Sequence, residues 1–306
     1  METTLLDYKV ENVVSTLNAQ RMGWQIKQLL TPDTWLKTKG CDVRVMVIDS
    51  GCSNHSDLID GINRHECRSF LRSEIDIIDR NGHGTHCLGI IGARDNAFGV
   101  VGVAPNCRLI SCKTLGQNGR GDLTAIHNAL RYAKFIKPNV INMSLGTYDY
   151  DPIMHQLVKE LTDMNIPIIA AAGNDGRRNA VNYPAKYPET ICVTAYDKRG
   201  RPARFNSTGK TVDFSAPGVK IYSTWLNNSY SNLDGTSMAT PVITGIVALL
   251  LAKHHQQEIE TGKNDCRTVE EIREHLKNYA SNNGEICWDE NWGYGVIDVD
   301  EAIKNF

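Results

Sequence analysis

Residues 43–51 read Val-Arg-Val-Met-Val-Ile-Asp-Ser-Gly. A short run so rich in β-branched residues, closed by a polar turn, predicts a strand buried on both faces. Apolar runs of the same kind recur at 109–112, 140–145 and 166–172. Between them, 124–135 and 154–164 place apolar residues at helix-like spacing. Strand and helix in alternation predict an α/β fold: a single doubly wound, mostly parallel sheet with helices on both faces. In such sheets the chemistry collects where strands end. That singles out Asp49 after the first run and Gly173-Asn174 after the fourth. The stretch 242–252 is shorter than a membrane span and contains Thr244 and Gly245, so it reads as a buried helix.

The chain of 306 residues carries 33 Lys+Arg against 35 Asp+Glu, a net charge of -2 that argues against a partner recruited by charge. The basic clusters, Arg177-Arg178 and Lys198 to Arg201, are no longer than a loop, so neither nucleic acid nor a membrane is expected as partner. With 41% hydrophobic and 22% charged residues, wholesale disorder is excluded. No repeat, low-complexity tract or linker divides the chain. Only residues 1–19 separate from a domain of 20–306; Leu5, Leu6, Val10, Val13, Val14 and Leu17 fit a strand, a short helix or a surface tail. The first residues have no basic region ahead of an apolar run, which leads to the expectation of a cytoplasmic protein. Nine cysteines, an odd count without a CxxC pair, favour reduced thiols.

Three short motifs carry chemistry. Asp49-Ser50-Gly51 closes the first strand, and His83-Gly84-Thr85-His86 follows a turn at Asn81-Gly82. Gly235-Thr236-Ser237-Met238-Ala239-Thr240-Pro241 precedes the most apolar helix. Alone, each is commonplace: a turn, a weak metal motif, a helix start. Together they supply a hydroxyl, an imidazole to take its proton and a carboxylate to orient the imidazole. In that chain order, and with Ala171-Ala172-Gly173-Asn174 beside them, they resemble the subtilisin-type (subtilase) serine proteases. The resemblance runs from Gln20 to the closing Trp292-Gly293-Tyr294-Gly295. It implies a serine endopeptidase that cuts peptide bonds of protein or peptide substrates through an acyl-enzyme, with Ser237 as nucleophile, His83 as base, Asp49 as its partner and Asn174 as an oxyanion donor.

The resemblance extends to binding residues. It implies that Ser144-Leu145-Gly146 and the stretch from Leu115-Gly116 to Gly121 are two edges pairing with substrate backbone. Leu115, Leu123, Ile126 and Leu145 then line an apolar subsite four residues upstream of the cut, although plain core packing stays open for them. The primary pocket falls at Ala171, Ala172 and Gly173, with Asp175 and Asn182 near its rim and floor; Asn182 stands where many relatives have glycine. A calcium loop is implied at 94–100, drawing on the side chains of Gln20, Asp57 and Asn96 and the carbonyls of Arg94, Phe98 and Val100. Cys87 resembles the thiol beneath the catalytic histidine in one branch of the family. Residues 5–10 resemble the N-terminal extension of intracellular members, which folds back over the active site. Asp7 replaces a proline of that segment, so inhibition, cleavage and a plain tail all stay open. A homodimer, a silent peptide-binding module and acyl transfer with the same triad stay open as well.

Overall fold

The computed structural model describes residues 2–14, 19–262, 267–282 and 287–306. Its first strands are β1 (Glu2–Leu5) and β2 (Lys9–Val14). Two short helices, α1 (Trp24–Leu29) and α2 (Pro32–Lys37), lead to β3 (Arg44–Asp49), the strand expected from residues 43–51. Its side chains alternate as a pleated strand requires: Val45 and Val47 enter one apolar core, Met46 and Ile48 the other. The sheet continues with β4 (Arg68–Ser69), β5 (Arg108–Lys113), β7 (Val140–Met143), β9 (Ile168–Ala171), β10 (Ile191–Tyr196) and β11 (Val212–Pro217). Its order is β11-β10-β9-β7-β3-β5-β4, and every neighbouring pair is parallel. Helices α3 (His83–Gly92) and α6 (Thr236–Thr261) pack in the core on one face; α4 (Leu123–Ile136) and α5 (Pro152–Asp163) fill the other.

Local chemistry sets the helix starts. Asp122 caps α4 by accepting from the Ala125 N–H (2.9 Å), and Asp151 caps α5 by accepting from the Met154 N–H (2.5 Å), with Pro152 in the first turn. Such caps contribute about 1 kcal/mol each. Helix α6 is long and apolar enough to cross a membrane, but 94% of its most apolar stretch is buried in the protein, the place expected of a core helix. The expected run 140–145 divides. Ser144 leaves the ladder between β7 and β8 (Leu145–Gly146) because its side chain bonds α6.

Two smaller sheets recruit the N-terminal residues. Strand β1 lies between β6 (Arg120–Asp122) and β8, antiparallel to both. Strand β2 lies on the edge of the hairpin formed by β12 (Ile221–Trp225) and β13 (Ser229–Asp234).

Candidate active site

Strand β3 delivers Asp49 to the carboxyl edge of the sheet, and α3 begins at His83. Gly82, just before it, has φ +105°, where a Cβ would meet the Trp225 ring at 2.6 Å; only glycine serves. His83 Nδ1 stands 2.9 and 3.0 Å from the two Asp49 oxygens, and both side chains are buried. Nδ1 therefore carries the proton, and Nε2, which has no hydrogen-bond partner among the described residues, is left as the basic nitrogen. Burial pulls the imidazole pKa down, but the Asp49 carboxylate outweighs it and holds His83 well above its ordinary value. One turn along α3, Cys87 Sγ is 3.8 Å from His83 Nδ1, and burial pushes its thiol up.

Ser237 sits in the first turn of α6, where its N–H lies beyond the reach of any helical carbonyl. Pro241, four residues on, has no N–H to give the Ser237 carbonyl. That carbonyl instead accepts from Ser144 Oγ (2.9 Å) and Cys87 Sγ (3.5 Å). Ser237 Oγ in turn donates to the Ser144 carbonyl (3.1 Å), just ahead of β8. Asn174 follows β9 by a short loop; its Oδ1 accepts from the Thr236 N–H (2.9 Å) and Oγ1 (2.8 Å), which fixes the amide. The Nδ2 donates to the Asp7 carbonyl at 2.5 Å.

Asp7 belongs to a peptide laid along a channel. Thr4 pairs with Gly146, Leu5 with Leu145 and Thr3 with Gly121, while the Leu5 N–H donates to the Gly119 carbonyl at 2.8 Å. The edge opposite β8 is therefore 119–122. Gly116, expected on that edge, lies instead in a tight turn closed by Gly119 N–H to Gly116 O (2.9 Å), because the chain reverses there. Leu115, Ile126 and Leu145 share one apolar cluster with Leu5, so subsite lining and core packing coincide; Leu123 is buried nearby at the start of α4. Leu6 rests where Gly146 leaves room: a Cβ on Gly146 would lie 3.1 Å from Leu6 Cδ2 and 3.0 Å from Asn182 Cβ. Asn182 is buried, and among the described residues its Oδ1 has no partner. Ala171 ends β9 inside the sheet, and Gly173 has φ +120° with Ser207 Oγ 2.7 Å from where a Cβ would stand. Asp175 accepts from Tyr148 Oη (2.7 Å) and Ser207 Oγ (2.9 Å) at the rim of a cavity of about 90 Å³ left beside Leu6 and Asn182. Beyond Asp7, the Tyr8 ring lies 4.9 Å from the His83 ring, and its hydroxyl donates to Asn81 Oδ1 at 2.8 Å.

The profile of the subtilase family matches residues 40–295. The chain belongs to the subtilase family. It is 37% identical to Subtilisin DY of Bacillus licheniformis over 272 residues, which cover 87% of this chain and 92% of that one. It is 35% identical to Subtilisin BL of Lederbergia lenta over 94% of this chain and all of that one. With Minor extracellular protease Epr of Bacillus subtilis (strain 168) the identity is 34% over 95% of this chain, which spans only 43% of that protein's length. Membership makes the chain a serine endopeptidase of subtilisin type, acting on protein or peptide substrates.

Subtilases commonly bind calcium, and the loop after α3 fits such an ion. Asp57 is fully buried, and among the described residues no lysine or arginine pairs with it; burial raises its pKa. The loop wraps it closely: Val100 N–H donates to Asp57 Oδ2 (2.7 Å), Asn96 Nδ2 to Oδ1 (3.3 Å), and Gly99, at φ +63°, leaves no space for a Cβ. Gln20 Nε2 donates to the Arg94 carbonyl (2.8 Å), while the Arg94 guanidinium turns away to the carbonyls of Asp60 and Pro105. Phe98 N–H donates to Asn96 Oδ1 (3.3 Å). Calcium takes oxygen ligands, and the oxygens that could serve here are the Asp57 carboxylate, the side-chain oxygens of Asn96 and Gln20 and the Arg94 carbonyl.

Sequence reading missed several residues of this subtilase site. Ser207 and Tyr148 hold Asp175, Asn142 donates to Ser144 Oγ (3.0 Å), and Asp79 underlies the start of α3. Only Asp79 left a signal, a carboxylate in a polar turn just ahead of a helix. Two other buried histidines are held by main-chain carbonyls: His86 Nε2 bonds those of Ile221 and Ser231, and burial lowers its pKa to about 3, while His55 bonds that of Ser229.

Proposed function

We propose that Ser237, His83 and Asp49 form the catalytic triad of this endopeptidase, and that Asn174 Nδ2 and the Ser237 N–H bind the oxyanion. The observation that carries the reading is the Asn174 amide donating to a peptide carbonyl, that of Asp7, beside the His83–Asp49 pair. For catalysis the Ser237 hydroxyl turns from Ser144 to His83 Nε2. Nε2 takes its proton as Oγ bonds the substrate carbonyl carbon, and the carbonyl π pair moves onto oxygen. The imidazolium, stabilised by Asp49, then gives that proton to the departing amine, and water repeats the sequence to free the acyl group. Ser237→Ala in the full-length chain should remove peptidase activity with the melting temperature unchanged, since the triad acts as a unit. Casein cleavage at the parent rate by this variant would defeat the assignment.

The reading further holds that the extension 1–19 inhibits the enzyme, with residues 2–8 lying in the substrate channel. In a peptide held for cutting, the residue filling the primary pocket is also the one whose carbonyl sits on the oxyanion donors. Here Leu6 packs against Gly146 and Asn182, but the carbonyl on Asn174 belongs to Asp7, one residue later. That offset supports a segment bound without being positioned for attack, even though the proline is missing, and the tether makes weak contacts sufficient.

Asp57, Asn96 and Gln20, with the carbonyls of Arg94, Phe98 and Val100, would hold calcium, which would neutralise the buried Asp57 and fix the loop after α3. At a calcium concentration of 100 times Kd the native state should gain about 2.7 kcal/mol. A melting temperature indifferent to calcium and chelator would dismiss the site. The eight described cysteines are all free thiols, which supports a reducing compartment.

A further inference from the structure

We infer that Asp79 is a positioning residue for the reaction, holding Asp49 and His83 in register by tying the end of β3 to the start of α3. The inference rests on reading those two residues as the catalytic pair. They stand on different elements, so some group must set the distance between them. Asp79 is 3% exposed and accepts five hydrogen bonds. Its Oδ1 takes the N–H groups of Asn81 and Gly82 (2.9 Å each) and the Ser50 hydroxyl (3.0 Å); its Oδ2 takes the Thr85 N–H (2.9 Å) and hydroxyl (2.7 Å). Ser50 adjoins Asp49 and donates its N–H to Asp49 Oδ1 (2.7 Å), while its Oγ accepts from the Gly84 N–H (2.9 Å). One carboxylate thus grips both flanks of His83 and, through Ser50, the residue beside Asp49. The fit is close: a Cβ on Gly84 would stand 2.5 Å from the Gly51 carbonyl oxygen, so strand end and helix start touch backbone to backbone. A negative charge also suits the N-terminus of a helix. Asp79 touches no reacting atom and acts only through this register.

Asparagine is the informative replacement. Asp79→Asn keeps the shape, but its amide N–H groups would face the N–H and hydroxyl of Thr85, or, if flipped, those of Asn81, Gly82 and Ser50. The readout is the low-field proton resonance of His83 Nδ1–H in the full-length chain, with Asp49→Asn as assignment control, followed from acid to alkaline pH. The parent should show the resonance, with the imidazole titrating above 6.5. Asp79→Asn should shift or broaden it, bring the titration down toward 6.5 and lower kcat by about 10²-fold with KM unchanged, the loss that a misplacement of about 1 Å produces. If Asp79→Asn does not fold, Ser50→Ala, which removes the hydroxyl's bonds to Asp79 and from the Gly84 N–H and so unties Ser50 from the start of α3, should move the same resonance in the same direction. A variant that melts earlier but keeps the parent resonance, titration and kcat overturns the inference while leaving the triad standing. Absence of the resonance from the parent overturns both.

Discussion

The two halves of the N-terminal segment are bound in different ways. Strand β1 lies in the middle of its sheet, with β6 on one side and β8 on the other, and Thr3, Leu5 and Leu6 are buried. Strand β2 occupies the edge of its sheet, hydrogen-bonded to β13 alone, and leaves Val10, Val13 and Val14 at 43%, 58% and 38% exposure. A strand with two partners and buried alternate side chains is held by position; an edge strand with exposed valines is held mainly by its backbone. The channel between β6 and β8 is thus a slot shaped for an extended peptide, and β1 is the peptide that fills it. On this account β2 serves as tether, while β1 and the Asp7-Tyr8 segment close the site.

The contrast can be broken first where the expected effect is largest. Leu6→Glu would bring a charge into the buried wall formed with Gly146 and Asn182. The full-length variant should hydrolyse a short peptide at least about tenfold faster than the parent, equivalent to about 1.4 kcal/mol of lost docking. An unchanged rate, with both chains uncleaved by mass, would mean the slot does not depend on its occupant. The smallest effect belongs to the other half. Val13→Thr keeps the β-branched shape on an exposed edge and should alter peptide hydrolysis and stability by no more than about 0.5 kcal/mol. A tenfold release from Val13→Thr would invert the comparison and make β2 the part that closes the site.

Much of the site could be read from the chain alone because its parts are local. The apolar, β-branched run of 43–48 reports a strand buried on both faces, and Asp49, His83 and Ser237 each sit at the start or end of an element whose own residues announce it. The N-terminal segment was ambiguous for a physical reason: Leu5, Val10, Val13 and Val14 join strands only through partners more than a hundred residues away, at β6, β8 and β13. The role of Asp7 was invisible, since its main-chain carbonyl bonds Asn174 and any residue supplies one. Gly116 was misplaced because a tight turn and a pairing edge favour the same small residue. Ser144 was expected at a substrate edge, yet its bond to the carbonyl that Pro241 leaves without a helical donor also ties β8 to the nucleophile's helix.

The most direct test is the rate at which a serine-directed phosphonylating reagent modifies Ser237, read by intact mass and peptide mapping on the full-length chain and on a chain lacking residues 1–17. The account predicts a single adduct at Ser237 in the shortened protein, formed at least about tenfold faster than in the intact one, where weak contacts act at the millimolar effective concentration of a short tether. Equal rates in the two proteins, both folded by melting curve, or an adduct at any residue other than Ser237, would contradict it.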